Sequence, residues 1–359
     1  MAYSQHDDTY LVESDESHHR ITAQEAAGTM ACQLQEIIGV ELSRLAGDEC
    51  LEDIMQHMRQ MEDVTLPDAS LIDMQRQIQW FMRPYLIDFL IEAHAAFGLL
   101  PETLFLTVNL LDRYCSKRVV YKQHYQLVGC AALLIASKYD DKKDRVPQIH
   151  ELNNMCCGLY DAGMFTQMEM HVLNTLGWAI GHPTVVFFAQ LMVAEEGDDQ
   201  EVTHMAAYLC EIALYHRDFV STKPSVMVRS SLALARAILG RAEVNDGGWN
   251  QTENVTLITL LHHLDQPSPT LARKYSTTGF SRVSQKLADF MAERAAIARR
   301  AANPATPHAE PINKHIRNIY STRQKGHNVI GFDDYLTLPI TPDGNCLMGN
   351  HNLPRTPTL

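Results

Sequence analysis

Long apolar runs are missing from these 359 residues. No stretch reaches the roughly 20 residues a bilayer-spanning helix needs, and no signal peptide is recognisable, so a soluble intracellular protein with no membrane partner is expected. Clustered positive charge is also scarce. Thirty Lys and Arg stand against 43 Asp and Glu, a formal net charge of -13 with no long basic run, which excludes a general phosphate-tracking nucleic-acid binder. The eight cysteines form no CxxC pair and no zinc-type His/Cys spacing, so no metal is expected, and adjacent Cys156 and Cys157 read as reduced packing residues. Alternating β-branched runs are nearly absent, which argues against any substantial sheet. GxSxG, HExxH, a P-loop and a DFG triplet are all lacking, and no cofactor is implied. His216-Arg217-Asp218 copies a kinase catalytic-loop triplet, but Lys223 stands where that mechanism needs Asn. The triplet reads instead as the solvated end of a helix.

What is present is helical periodicity over a chain that is 46% hydrophobic, enough for a well-filled core. The stretch His124 to Tyr139 organises the rest. From Leu127 to Ala136 it carries no charge and no polar stripe, the pattern of a helix enclosed on all sides. Gly129, Ala131, Ala132 and Ala136 permit close helix approach, while Leu127, Leu133, Leu134 and Ile135 fill the space between helices. Before it, Asp48 to Glu62 places Leu51, Ile54, Met55, Met58 and Met61 on one stripe, and Asp68 or Ser70 offers a cap for the next helix. Pro84 predicts a helix start or kink at Phe81 to Pro84, Gly98 a stop, and Pro101 a new first turn. A short helix near Val146 to Met155 follows the central one. A fifth spans about Asp161 to Leu176, with Asp161 as its N-cap and Gly177 as its stop. After Trp178 the pattern restarts with about five more helices, the third again rich in small residues (SSLALARAILG), so the expected fold is all-α with two tandem five-helix units.

Charges inside such apolar helices need partners or an exposed contact, because a lone buried charge costs several kcal/mol. Arg83 is expected to pair with Asp112 as an internal clamp. Lys138, in the last turn of the central helix, either caps the helix dipole or reaches outward. With Glu169 it is expected to stand at one rim of the core, the two opposite charges held apart for a partner's backbone.

The segments FMRPYLIDFLIEAH, TLFLTVNLLDRYCSK, YQLVGCAALLIASKYDD, FTQMEMHVLNTLGW and HPTVVFFAQL, in that order and spacing, closely resemble the cyclin box. The likeness runs from about Asp53 to Arg300, and the chain is most similar to fungal G1 or G1/S cyclins. The resemblance implies an N-terminal tail (1–22), a helical segment (23–70), an N-terminal cyclin box (71–178), a C-terminal cyclin-like domain (179–300) and a flexible tail (301–359). It also implies a non-catalytic subunit, found in nucleus and cytoplasm, that binds and activates a cyclin-dependent Ser/Thr kinase. On that resemblance Lys138 and Glu169 are the kinase-gripping pair, and Arg83, Asp112 and Leu127 the structural signature. Met82, Tyr85, Leu86, Phe89 and Gln126 match a substrate-docking patch, although Pro84, Tyr85 and Phe89 depart from its usual residues, and inward packing of Leu86 and Phe89 is the alternative. Thr306, Thr341 and Thr356 each precede proline. The context of Thr341 resembles the phosphodegrons read by F-box ubiquitin ligases. The rival reading is a cyclin-fold scaffold or transcription-associated adaptor that activates no kinase.

Overall fold

The computed structural model describes residues 51–242 and 249–302, together with 49–50 and scattered positions from 29 to 47. Among them helices, turns and loops account for everything, with no strand. Among the described residues no helix is long and apolar enough to cross a membrane, and no group of three or more His, Cys, Asp or Glu is placed to hold a metal.

The chain divides at Thr65 into two units. The first contains α1 (49–64), on which Ile54, Met55, Met58 and Met61 are half-buried and Leu51 is exposed. The second begins with α2 (Ala69–Asp73), capped by the Asp68 carboxylate, which accepts from Ser70 N. A 3-10 turn at Trp80–Met82 leads into α3 (Arg83–Phe97), whose first turn holds Pro84, where a missing N–H costs nothing. Gly98 stops α3 at φ 61°, a left-handed conformation that glycine adopts without strain. Pro101 then starts α4 (Pro101–Lys117).

Within this second unit α2 to α7 make a first helical body, and helix α5 (Tyr125–Asp140) is its axis, buried from Leu127 through Ser137 and packed on α3, α4 and α7 (Ala162–Thr175). Gly129 is required by the approach of α3, since a Cβ there would lie 2.9 Å from Leu86 Cδ1. The short α6 (Ile149–Met155) precedes α7 (Ala162–Thr175). Asp161 occupies the N-cap position of α7, but its side chain makes no capping bond; its carbonyl accepts from Met164 N instead.

The second body contains α8 (Val185–Glu196), α9 (Gln200–Ala213), α10 (Pro224–Ile238), α11 (Gln251–His262), α12 (Pro269–Lys274) and α13 (Val283–Ala302). Here α10 takes the central place, against α8, α9 and α11. Asp199 and the Asn250/Glu253 capping box define the starts of α9 and α11.

His216-Arg217-Asp218 is not a free helix end. Arg217 to Phe219 form a 3-10 turn beyond α9, and Arg217 Nε donates to Asp73 Oδ1 at 2.8 Å. Pairing with Arg217 and a bond from Trp80 Nε1 hold the Asp73 carboxyl down to about 2. The triplet therefore ties the second body to the first. The N-terminal tail and Thr306, Thr341 and Thr356 lie outside the described residues.

Candidate functional site

Two charged constellations arise from the helices of the first body, one enclosed and one at the rim. The enclosed one joins the start of α3 to the middle of α4: Arg83 Nη1 and Nη2 donate to Asp112 Oδ1 and Oδ2 at 2.6 and 2.8 Å. Both side chains are 5% exposed or less. Burial alone would lower the guanidinium's pKa, but the charge and hydrogen bonds of Asp112 outweigh it and raise the value. A third bond was not foreseeable from side-chain pattern: Arg83 Nε donates to Leu214 O at 2.7 Å, so the clamp also grips the end of α9. Beside it Asp88 accepts from Tyr215 Oη at 2.7 Å and from Ser268 Oγ at 2.5 Å, again across the two bodies. Leu127, at 1% exposure, belongs to the same core. A cavity of about 90 Å³ adjoins the clamp, bordered by Arg83, Asp112, Phe105, His182 and Met227. His182 is pushed down to about 4 by burial and then by the Arg113 charge.

The rim constellation is Lys138 on the last turn of α5 and Glu169 on α7. They do share one edge of the body, but they are not held apart: Lys138 Nζ lies 2.5 Å from Glu169 Oε1. The reason is simple electrostatics. With no other partner at hand, opposite charges on adjoining helices close on each other. The lysine side chain is 49% exposed and the glutamate 13%, so the pair is reachable from outside, the ammonium more than the carboxylate. Their sequence neighbours Tyr139 and Met170 are exposed too.

The residues matched to a docking patch are not equivalent. Tyr85 is 76% exposed, Met82, Phe89 and Gln126 are half-buried, and Leu86 is buried against Gly129. Leu86 thus takes the inward alternative. Phe81, 71% exposed in the turn before α3, is a further large apolar group open to solvent near the start of that helix. No sequence signal distinguished it from a residue closing the turn before α3.

Fold and site together define an all-helical scaffold: two helical bodies, the first clamped internally by a buried ion pair whose arginine also bonds the second, with a two-signed edge on the first. Two family profiles match it in tandem, "Cyclin, N-terminal domain" over residues 53–181 and "Cyclin, C-terminal domain" over 183–289, and the chain belongs to the cyclin family. It is 48% identical to the G1/S-specific cyclin CCN1 of Candida albicans over 208 residues, 52% of this chain and 30% of that one. The G1/S-specific cyclin CLN3 of the same organism matches at 43% over 139 residues, 39% of this chain and 30% of that one. The G2/mitotic-specific cyclin cdc13 of Schizosaccharomyces pombe matches at 32% over 251 residues, 68% of this chain and 52% of that one. The matched segments thus span between about a third and a half of these relatives' lengths.

Proposed function

We propose that this chain binds and activates a cyclin-dependent Ser/Thr protein kinase at G1 or the G1/S transition, contributing no catalytic group itself. The observation that carries the reading is the Lys138–Glu169 pair, an ammonium and a carboxylate presented together on the edge of a rigid helical body. Each can exchange its partner for a backbone carbonyl or amide of a docking helix. The ammonium, half in water, can leave the pair at little cost, whereas the largely enclosed Glu169 carboxylate needs a replacement donor, which a docking helix's backbone amide would supply. A helix so held is fixed in one position, and if that position completes the kinase's internal Lys–Glu ion pair, binding shifts the kinase population to its active form.

The surface of Phe81, Tyr85 and half-buried Met82, Phe89 and Gln126 is the candidate for substrate docking. Phosphorylation of Thr306, Thr341 or Thr356 and recognition by an F-box ubiquitin ligase would set the protein's lifetime, and the nucleus and cytoplasm are where such a subunit would meet its kinase.

The test is phosphate transfer to a histone-like protein by a purified cell-cycle kinase, by this chain, and by both. Activity confined to the mixture is expected. An unchanged kinase would favour a non-activating scaffold, and transfer by the chain alone would make it an enzyme.

A further inference from the structure

Two thiols that are 26 positions apart in sequence meet inside the first body. Cys130 lies on the second turn of α5 and Cys156 caps α6, and their sulfurs are 3.5 Å apart. Cys130 is fully enclosed, whereas Cys156, at 4% exposure, lies just beneath the surface. The three residues after it, Cys157, Gly158 and Leu159, are exposed. They form a tight turn in which Cys157 and Gly158 both take positive φ, 55° and 69°, and Gly158 N donates to Asn153 O at 2.9 Å. Cys115 and Cys210 are also buried, and Cys210 Sγ donates to Ser231 Oγ at 3.3 Å.

We propose that Cys130 and Cys156 form an oxidation site, a dithiol that a hydroperoxide converts to an intramolecular disulfide joining the central helix to the turn after α6. Bringing the sulfurs to the ~2.05 Å of a disulfide takes side-chain rotation from a contact already made. The contact with Cys156, and then burial, push the Cys130 thiol up, and Cys156, directly beneath the exposed residues 157–159, is the sulfur nearer solvent, which makes it the attacking one. Its thiolate attacks one peroxide oxygen and the O–O bond breaks. Cys156 becomes a sulfenic acid, and the other oxygen leaves as water or an alcohol. Cys130 then attacks the Cys156 sulfur, the S–O bond breaks, and a second water departs with the Cys130 proton. Two electrons pass from the thiols to the peroxide, and a reducing thiol reverses the change. Such a bond in a reducing compartment is transient, in keeping with a sensor rather than a structural staple.

The full-length protein is treated with hydrogen peroxide, alkylated, digested without reduction and mapped by mass spectrometry. A peptide pair joined through Cys130 and Cys156 is expected, about 2 Da lighter than the two reduced peptides together and split by dithiothreitol. Cys157→Ser retains this species, whereas Cys156→Ser and Cys130→Ala lose it. The wild-type map is decisive even if a core variant fails to fold. Cys130 and Cys156 still reduced while Cys157 is oxidised, a Cys156–Cys157 link, or intermolecular linkage only would each overturn the proposal.

Discussion

Removing the Asp112 carboxylate leaves the Arg83 guanidinium at 3% side-chain exposure without its anion, and a buried charge cannot recover its lost hydration. Asp112→Ala is therefore expected to cost about 3–5 kcal/mol in a denaturant titration. Lys138 presents the opposite case, since half of it is already in water. Lys138→Ala should change stability by less than about 1 kcal/mol in the same measurement. The two pairs share a chemistry and differ in surroundings, which separates a residue that holds the fold from one available to a partner. His182 makes a third prediction. Its folded pKa, about 4, lies below the 6.5 of an unhindered imidazole, so the unfolded chain binds the proton more readily. The stability this confers is complete above pH 6.5 and is lost as pH falls toward 4, by at most about 3 kcal/mol. His216, pushed down to about 4 by burial and then by the charge of neighbouring His263, acts in the same direction. His182→Gln should flatten the pH profile of unfolding in that window without abolishing it.

At the scale of elements, α5 depends on neighbours that come close. A methyl group at position 129 would meet Leu86 Cδ1 at 2.9 Å, and Leu86, itself buried, has little room to turn away. Gly129→Ala is expected to destabilise by about 1–3 kcal/mol, read as a lower thermal midpoint, despite alanine's better helix propensity. The helices of the first body were legible in the chain because punctuation and periodicity agree: Pro84 opens α3, Gly98 closes it, Pro101 opens α4, and the charge-free run from Leu127 marks the enclosed α5. Helix α12 was not, because Pro269–Lys274 is six residues long, under two turns, too few for an apolar stripe to repeat. Pairing of Arg83 with Asp112 could be anticipated from isolated opposite charges in apolar helices. The bond from Arg83 to Leu214 O could not, since every residue offers the same carbonyl and only tertiary placement selects one.

For the whole molecule, the second body is joined to the first through Arg83 and Leu214, Asp88 with Tyr215 and Ser268, and Asp73 with Arg217. These bonds converge on α2 and α3, away in sequence from the α5 and α7 residues that carry the charged edge. That division explains why one half of the site was readable from sequence and the other was not. The sign and helix position of Lys138 and Glu169 were plain, but their contact in the free protein depends on the packing of two helices, which no single segment encodes. It also yields the sharpest discrimination. Swapping both charges at once would rebuild the internal pair with reversed polarity, preserving the fold and not the polarity a docking helix meets. The decisive measurement is the Kd for a purified cyclin-dependent kinase of the wild type, Lys138→Glu, Glu169→Lys and the double swap, with thermal midpoints taken in parallel. Each single variant, and the double swap equally, should bind roughly a hundredfold or more weakly at an unchanged midpoint. Wild-type affinity in the single variants would contradict the assignment of this edge as the kinase-binding site.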